Sequence, residues 1–120
     1  MTKDIQSILQ ATIEEGRIEE FKRLVEEITR AVEINEPGTK SYQYYLNDDE
    51  TKCVASESYL NSEDALAHLN GAAAQTILPK IFNISKLIRL DVYGNPSEEL
   101  QKIIASFDSQ IFNRFTGFNR

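Results

Sequence analysis

One histidine is present, His68, and shortly before it the run Glu57-Ser58-Tyr59 sets a carboxylate and a phenol on the same side of a strand-like segment. A neutral imidazole takes up a proton near neutral pH, so His68 can serve as the base toward a phenolic hydroxyl, leaving an electron-rich anion able to react with oxygen. Glu57 can orient that imidazole or hydrogen-bond a substrate hydroxyl. Tyr42 and Tyr44 share one strand side, and aromatic walls with hydroxyl tips suit a flat phenolic ligand, with Tyr59 a further contact. Arg89 can stabilise a developing enolate. Each of these residues also has a plainer role: a core histidine bonded to a carboxylate or tyrosine, a structural buried carboxylate, core tyrosines, and an Arg89 paired with Asp91 or Glu57.

Counting narrows the field. The lone Cys53 cannot form an internal disulfide; it reads as a small strand residue with no basic neighbour on its side to activate it. Together with an N-terminus that lacks the pattern of a secretory leader, this points to a reducing cytoplasm. One histidine excludes a multi-histidine metal site within a chain, and Asn47-Asp48-Asp49-Glu50 lacks the alternating ligands and turn glycine of a calcium loop. A formal net charge of -6, with thirteen scattered Lys and Arg residues, disfavours nucleic acid as a partner. No apolar run reaches the length of a membrane span. At 120 residues the chain is one domain able to bury roughly two-thirds of its unfolded surface.

The elements that position these groups follow from the hydrophobic period. Ile5 to Ile13 alternates as a strand, with Ile5, Ser7, Leu9, Ala11 and Ile13 on one side. After Glu14-Glu15-Gly16 the period becomes helical, and Ile18, Phe21, Leu24, Val25, Ile28 and Val32 form an apolar stripe opposite a charged surface. Pro37 forces Glu36 out of helical geometry and Gly38 permits a sharp reversal, so the helix stops there. Lys40 to Leu46 and Thr51 to Leu60 then read as a hairpin around the acidic turn, with Cys53, Ala55, Glu57 and Tyr59 together on one side. Neither side of the second strand is cleanly polar, which predicts a sheet covered on both faces.

Asn61-Ser62-Glu63-Asp64 starts a helix that Gly71 and Pro79 should break before Phe82. Ile84 to Tyr93 is a further strand, with Ile84, Ile88, Leu90 and Val92 on one side and Leu87, Arg89, Asp91 and Tyr93 on the other. A last helix spans Glu98 to Phe107, and Ile111, Phe112, Phe115 and Phe118 form a tail too aromatic to be left in water. The order strand, helix, strand, strand, helix, strand, then helix and tail is the α+β, ferredoxin-like βαββαβ arrangement. An RNA-recognition module shares this order, but Lys52-Cys53-Val54-Ala55-Ser56-Glu57 has none of the stacking aromatics such a module displays.

Glu36-Pro37-Gly38-Thr39 with Tyr42, then Glu57-x-Tyr59-x-Asn61 and His68, resembles the antibiotic biosynthesis monooxygenase family over roughly Ile5 to Tyr93. The resemblance implies a homodimer, a dimeric α+β barrel in which the uncovered sheet faces of two protomers pack together. It also implies a pocket in each protomer between sheet and helices. Residues 1–94 would form the family domain and 95–120 a C-terminal helix and tail packed on it or on the partner. Some such proteins oxidise quinols or phenols with molecular oxygen and no cofactor, and distant ones degrade haem with the help of a helix tryptophan, a residue this chain lacks. Tyr59 stands where many relatives carry tryptophan, and Asn70-Gly71-Ala72 where quinol oxidisers often have a second histidine. The expectation is a cytoplasmic, cofactor-independent monooxygenase acting on a small aromatic phenol or quinol. In it His68 is the base, Glu57 its orienter, and Tyr42, Tyr44, Tyr59 and Arg89 substrate contacts, with no metal, nucleic acid or membrane involved. The rival is a dimer of the same fold that binds a small molecule without turning it over.

Overall fold

The computed structural model describes residues 3–120. Five strands and four helices follow one another: β1 (Ile5–Ile13), α1 (Ile18–Asn35), β2 (Thr39–Leu46), β3 (Lys52–Tyr59), α2 (Ser62–Asn70), α3 (Ala72–Phe82), β4 (Ser85–Tyr93), α4 (Glu98–Ile104) and β5 (Ser109–Phe112). They build one sheet in the order β2-β3-β1-β4-β5, the ferredoxin-like topology with one strand added at an edge. β1 is antiparallel to both β3 and β4, and β2 to β3, whereas β5 runs parallel to β4.

All four helices cover the same face. α1 buries Phe21, Leu24, Ile28 and Val32 there, the stripe its period predicts, packed with Ala73, Ile77 and Ile81 of α3. A second apolar cluster joins Ala65 of α2 and Leu100 and Ile104 of α4 to Ile5, Tyr59, Leu90 and Val92 of the sheet. The opposite face carries no helix and exposes Tyr45, Ile88, Tyr93 and Phe112. Among the described residues no helix is long and apolar enough to cross a membrane.

Four details differ from the sequence reading. The break between α2 and α3 falls at Gly71, but Pro79 sits inside α3 without ending it. Proline removes one ladder donor, and Ile77 and Ile81, buried on either side of it, hold the helix to the core across the missing bond. In β4 the register against β1 shifts between Gln10 and Ala11, so Leu87 faces Ala11 while Ile88 is bulged outward and exposed. The last helix ends at Ile104, and part of the expected tail is strand β5. Of its large apolar residues, Ile111 packs against the domain and Phe112 stacks on Tyr93 at 5.4 Å, while Phe115 and Phe118 lie 96 % and 77 % exposed on this chain.

The acidic tip is a satisfied turn. Asn47 Oδ1 accepts from the Thr51 and Lys52 amides at 3.0 and 2.9 Å, and Glu50 pairs with Lys22 at 2.7 Å. Among the described residues no group of three or more His, Cys, Asp and Glu side chains is placed to hold a metal ion.

Candidate active site

β3 sends Cys53, Ala55, Glu57 and Tyr59 to the helix-covered face, because alternate residues of a strand share a side. In the flanking strands Ser7 of β1 and Tyr42 of β2 stand opposite Glu57, and Tyr44 stands opposite Ala55. The strand end passes directly into α2, whose first turn is capped by Asn61 Oδ1 accepting from the Asp64 amide at 2.8 Å. Two turns later the same helix lays His68 onto the sheet, 2 % exposed.

The partner of His68 on its far side comes from the end of α1. Glu36 caps that helix, its amide donating to the Val32 carbonyl, and its Oε1 lies 2.7 Å from His68 Nδ1. Thr39 Oγ1 donates to the same oxygen at 3.3 Å, so the Glu36-Pro37-Gly38-Thr39 turn holds the carboxylate in place. Gly38 lets the turn approach α2 closely: a Cβ there would displace the Asp64 carboxyl. On its near side His68 Nε2 lies 3.6 Å from Glu57 Oε1, which also accepts from Tyr59 Oη at 2.5 Å. The rings of Tyr42 and Tyr59 flank the imidazole at 5.2 and 5.6 Å between centroids. Tyr42 and Tyr44 join their hydroxyls at 3.0 Å.

Burial sets the proton affinities. It raises the Glu57 carboxyl above the ordinary carboxylate range, an effect that nearby His68 and the Tyr59 hydrogen bond partly offset and Glu36 reinforces. Tyr42, Tyr44 and Tyr59 are all raised, first by burial and then by Glu57, so each remains a protonated phenol and a donor. Burial pushes the Cys53 thiol up to about 11, which leaves it an unreactive core residue at neutral pH.

Between the two apolar clusters lies a cavity of about 100 Å³. Its walls are chiefly Ile5, Leu9, Phe21, Leu69, Leu78, Leu90, Leu100 and Phe107, and its polar groups are few: Ser7, Ser85, Tyr44, Tyr59 and Glu57. Glu57 is the one carboxylate in that lining, 12 % exposed. His68 stands behind it rather than in the wall. Tyr42 is not in that lining: one side of its ring flanks the imidazole, and the residue borders a shallow groove with Val25, Thr29 and Glu33 of α1. Arg89 is on the other face of the sheet, 60 % exposed and bonded to Asp91 at 2.7 Å, so the substrate contact expected of it is not made toward this cavity.

The sequence reading paired Glu57 with Tyr59 and Tyr42 with Tyr44; the structure sets both pairs on one face beside His68, and adds Glu36, which that reading did not single out for the site. A signal for Glu36 was available: the last turn of α1 has no basic residue, and an acid at a helix C-terminus opposes the macrodipole, which calls for a compensating partner.

Comparison with known proteins accords with this architecture. In overall structure the chain is similar to MupZ from Pseudomonas fluorescens, with a TM-score of 0.84 at 24% identity, covering 99% of this chain and 96% of that one. A Nitrosomonas europaea protein whose name places it among the antibiotic biosynthesis monooxygenases aligns at TM-score 0.66 and 23% identity over 79% of this chain and 92% of its own. Rv0793 from Mycobacterium tuberculosis aligns at 0.68 and 14% over 79% and 97%. At such identities these likenesses speak for the fold. Among curated proteins none matches in sequence. The family model for antibiotic biosynthesis monooxygenase matches residues 5–80, from β1 through most of α3, and the chain belongs to that family.

Proposed function

We propose that the protein is a cofactor-free monooxygenase for a small, mainly apolar phenol or quinol held in the cavity, with Glu57 as the group that exchanges a proton with it. One observation carries this reading: the sole carboxylate in a mainly apolar lining is also one whose proton affinity burial has raised. A carboxylate in that condition is a stronger base than an exposed one, and the cavity excludes the water that would compete for the proton. His68 then acts as a positioning residue behind Glu57, the reverse of the division of labour read from the sequence. Tyr59 and Tyr44 supply hydroxyl donors along the same wall.

The chemistry balances without a cofactor. Glu57 accepts the hydroxyl proton, and the electron-rich anion reduces molecular oxygen. One oxygen atom is retained as a ring carbonyl, and the other leaves as water with the hydroxyl hydrogen and one ring hydrogen. Size limits the substrate: a cavity of about 150 Å³ accepts benzene, so a single ring enters here with a modest outward shift of the walls and a polycyclic ligand does not. The uncovered sheet face, with Tyr45, Ile88, Tyr93 and Phe112 exposed, suits packing against a second protomer, and we include a homodimer in the proposal.

Oxygen uptake with a panel of one-ring phenols and quinols tests the reading. Turnover by the wild type, abolished in Glu57→Gln, is the expected result. Saturable binding of the same compounds with no oxygen consumed would replace it with the non-catalytic binding reading, and a monomer by light scattering would remove the dimer.

A further inference from the structure

Glu57 is one end of a line of polar groups whose other end reaches the surface. That end is a cleft of about 250 Å³ formed by the Glu36-Pro37-Gly38 turn together with Asp64 and Gly71. Cleft and cavity have no lining residue in common. Between them stands the buried imidazole, with Nδ1 2.7 Å from the carboxylate of the cleft and Nε2 3.6 Å from the carboxylate of the cavity.

We infer that Glu36, His68 and Glu57 form a proton relay joining the surface cleft to the cavity, which unloads and reloads Glu57 while a ligand fills the cavity and keeps water out. The inference rests on the proton-transfer role proposed for Glu57. In the outward direction the Glu57 O–H breaks as Nε2–H forms, Nδ1–H breaks as an O–H forms on Glu36, and Glu36 gives that proton to water in the cleft. The ring is neutral before and after, and differs only in which nitrogen bears the hydrogen. The same transfers in reverse restore the starting state, so the ring never has to flip between Tyr42 and Tyr59. The 3.6 Å separation closes to bonding distance with a shift of less than an ångström, the kind of tightening that accompanies ligand binding.

The groups facing the imidazole are Glu36 from the end of α1, Tyr42 from β2, and Glu57 and Tyr59 from β3, with Tyr44 reaching Glu57. Burial keeps the three phenols protonated, which leaves the two carboxyls and the ring to carry protons. Thr39 fixes Glu36 toward the ring rather than toward solvent.

Because the chain has one histidine, ring nitrogen resonances of protein labelled with ¹⁵N-histidine report this site alone. The wild type should move its ring hydrogen from Nδ1 to Nε2 as rising pH strips Glu57, and in Glu57→Gln the hydrogen should stay on one nitrogen over the same range. Glu36→Gln keeps an amide beside Nδ1 but cannot take the proton, so exchange of the ring N–H with water should slow at least tenfold. Asp64→Asn, in the cleft but off the line, should leave exchange unchanged. Exchange as fast in Glu36→Gln as in the wild type overturns the relay, as does equal slowing in Asp64→Asn. A wild-type ring hydrogen that never changes nitrogen overturns it too, and that titration decides the matter even if Glu36→Gln does not fold. None of these readouts uses a substrate: relay failure with phenol-dependent oxygen uptake intact removes only the relay, and an intact relay without oxygen uptake removes only the oxygenase.

Discussion

The helix-covered face of the sheet buries two neighbouring patches in opposite ways. Beneath α1 and α3 the buried side chains are almost all hydrocarbon: Ile28 and Ile84 are 0 % and 1 % exposed among Phe21, Leu24, Val32 and Ile77, with the Cys53 thiol beside them and no charged group. Beneath α2, His68 is as deeply buried, but it brings in Glu36, Glu57 and Tyr59, each tied to a named neighbour. The first patch gains roughly 25 cal/mol for each Å² of apolar surface removed from water. The second gains little, since the cost of taking these polar and ionisable groups out of water offsets most of what their pairing returns, and apolar replacements of the same shape would serve stability as well. The proton exchange proposed for Glu57 gives that costly burial a use that folding alone does not.

Taking away one member of the polar patch should therefore do at least as much harm as truncating the apolar one, although the intact patch adds little to stability. His68→Ala leaves the Glu36 and Glu57 carboxyls without the group between them, at a cost of about 3–5 kcal/mol in urea unfolding at pH 7. Ile28→Ala leaves a cavity lined by relaxing aliphatic groups, at a cost of about 2–5 kcal/mol. The comparison breaks if His68→Ala proves nearly neutral while Ile28→Ala is costly, for then the polar network holds no desolvated charge in need of compensation.

The two patches should also differ in pH dependence. Glu57 is a carboxyl raised by burial in the folded state, so the native form holds its proton where the unfolded chain has lost it. Its contribution to stability is complete below the unfolded value, about 4.3, and is lost as pH rises through the higher folded value. Subtracting the unfolding free energies of Glu57→Gln from those of the wild type isolates this slope: the difference should fall with rising pH. An identical subtraction for Ile28→Val should be flat. A difference for Glu57 that rises with pH would mean that its pairing with His68 outweighs burial.

How far the sequence discloses each patch follows from the range of the interactions. The aliphatic patch is largely legible: the 3.6-residue period from Phe21 to Val32 and the alternation from Ile5 to Ile13 are local signals, and of the residues they select Phe21, Leu24, Ile28, Val32, Ile5, Ala11 and Ile13 are buried while Val25, Ser7 and Leu9 are partly so. Alternation likewise put Cys53, Ala55, Glu57 and Tyr59 on one side of β3. Illegible were features that depend on partners far along the chain. Glu36 meets His68 across 32 residues and two elements, so no periodicity couples them. β5 is too short to show alternation and is strand only because β4 offers it a free edge. The outward turn of Ile88 depends on a bulge created by pairing with β1, and a sequence read as strict alternation assigns it to the core. That Glu57 rather than His68 borders the cavity is likewise a fact of side-chain packing and not of order.

The smallest effect worth measuring lies between the patches, in the cap that aims α2. Asn61 Oδ1 takes the Asp64 amide, and the helix so started carries His68 in its last turn. Asn61→Ala removes one cap and should cost about 1 kcal/mol. Ser97→Ala removes the matching cap of α4, where Ser97 Oγ accepts from the Leu100 amide at 3.2 Å, and should cost a similar amount. The two should part company in the ring nitrogen resonances of His68, which Asn61→Ala shifts because the imidazole rides on the loosened helix and Ser97→Ala leaves in place because α4 carries no member of the network. Equal resonances in both variants would show that the imidazole is held by Glu36, Glu57 and the flanking tyrosines alone, with the helix as a passive tether.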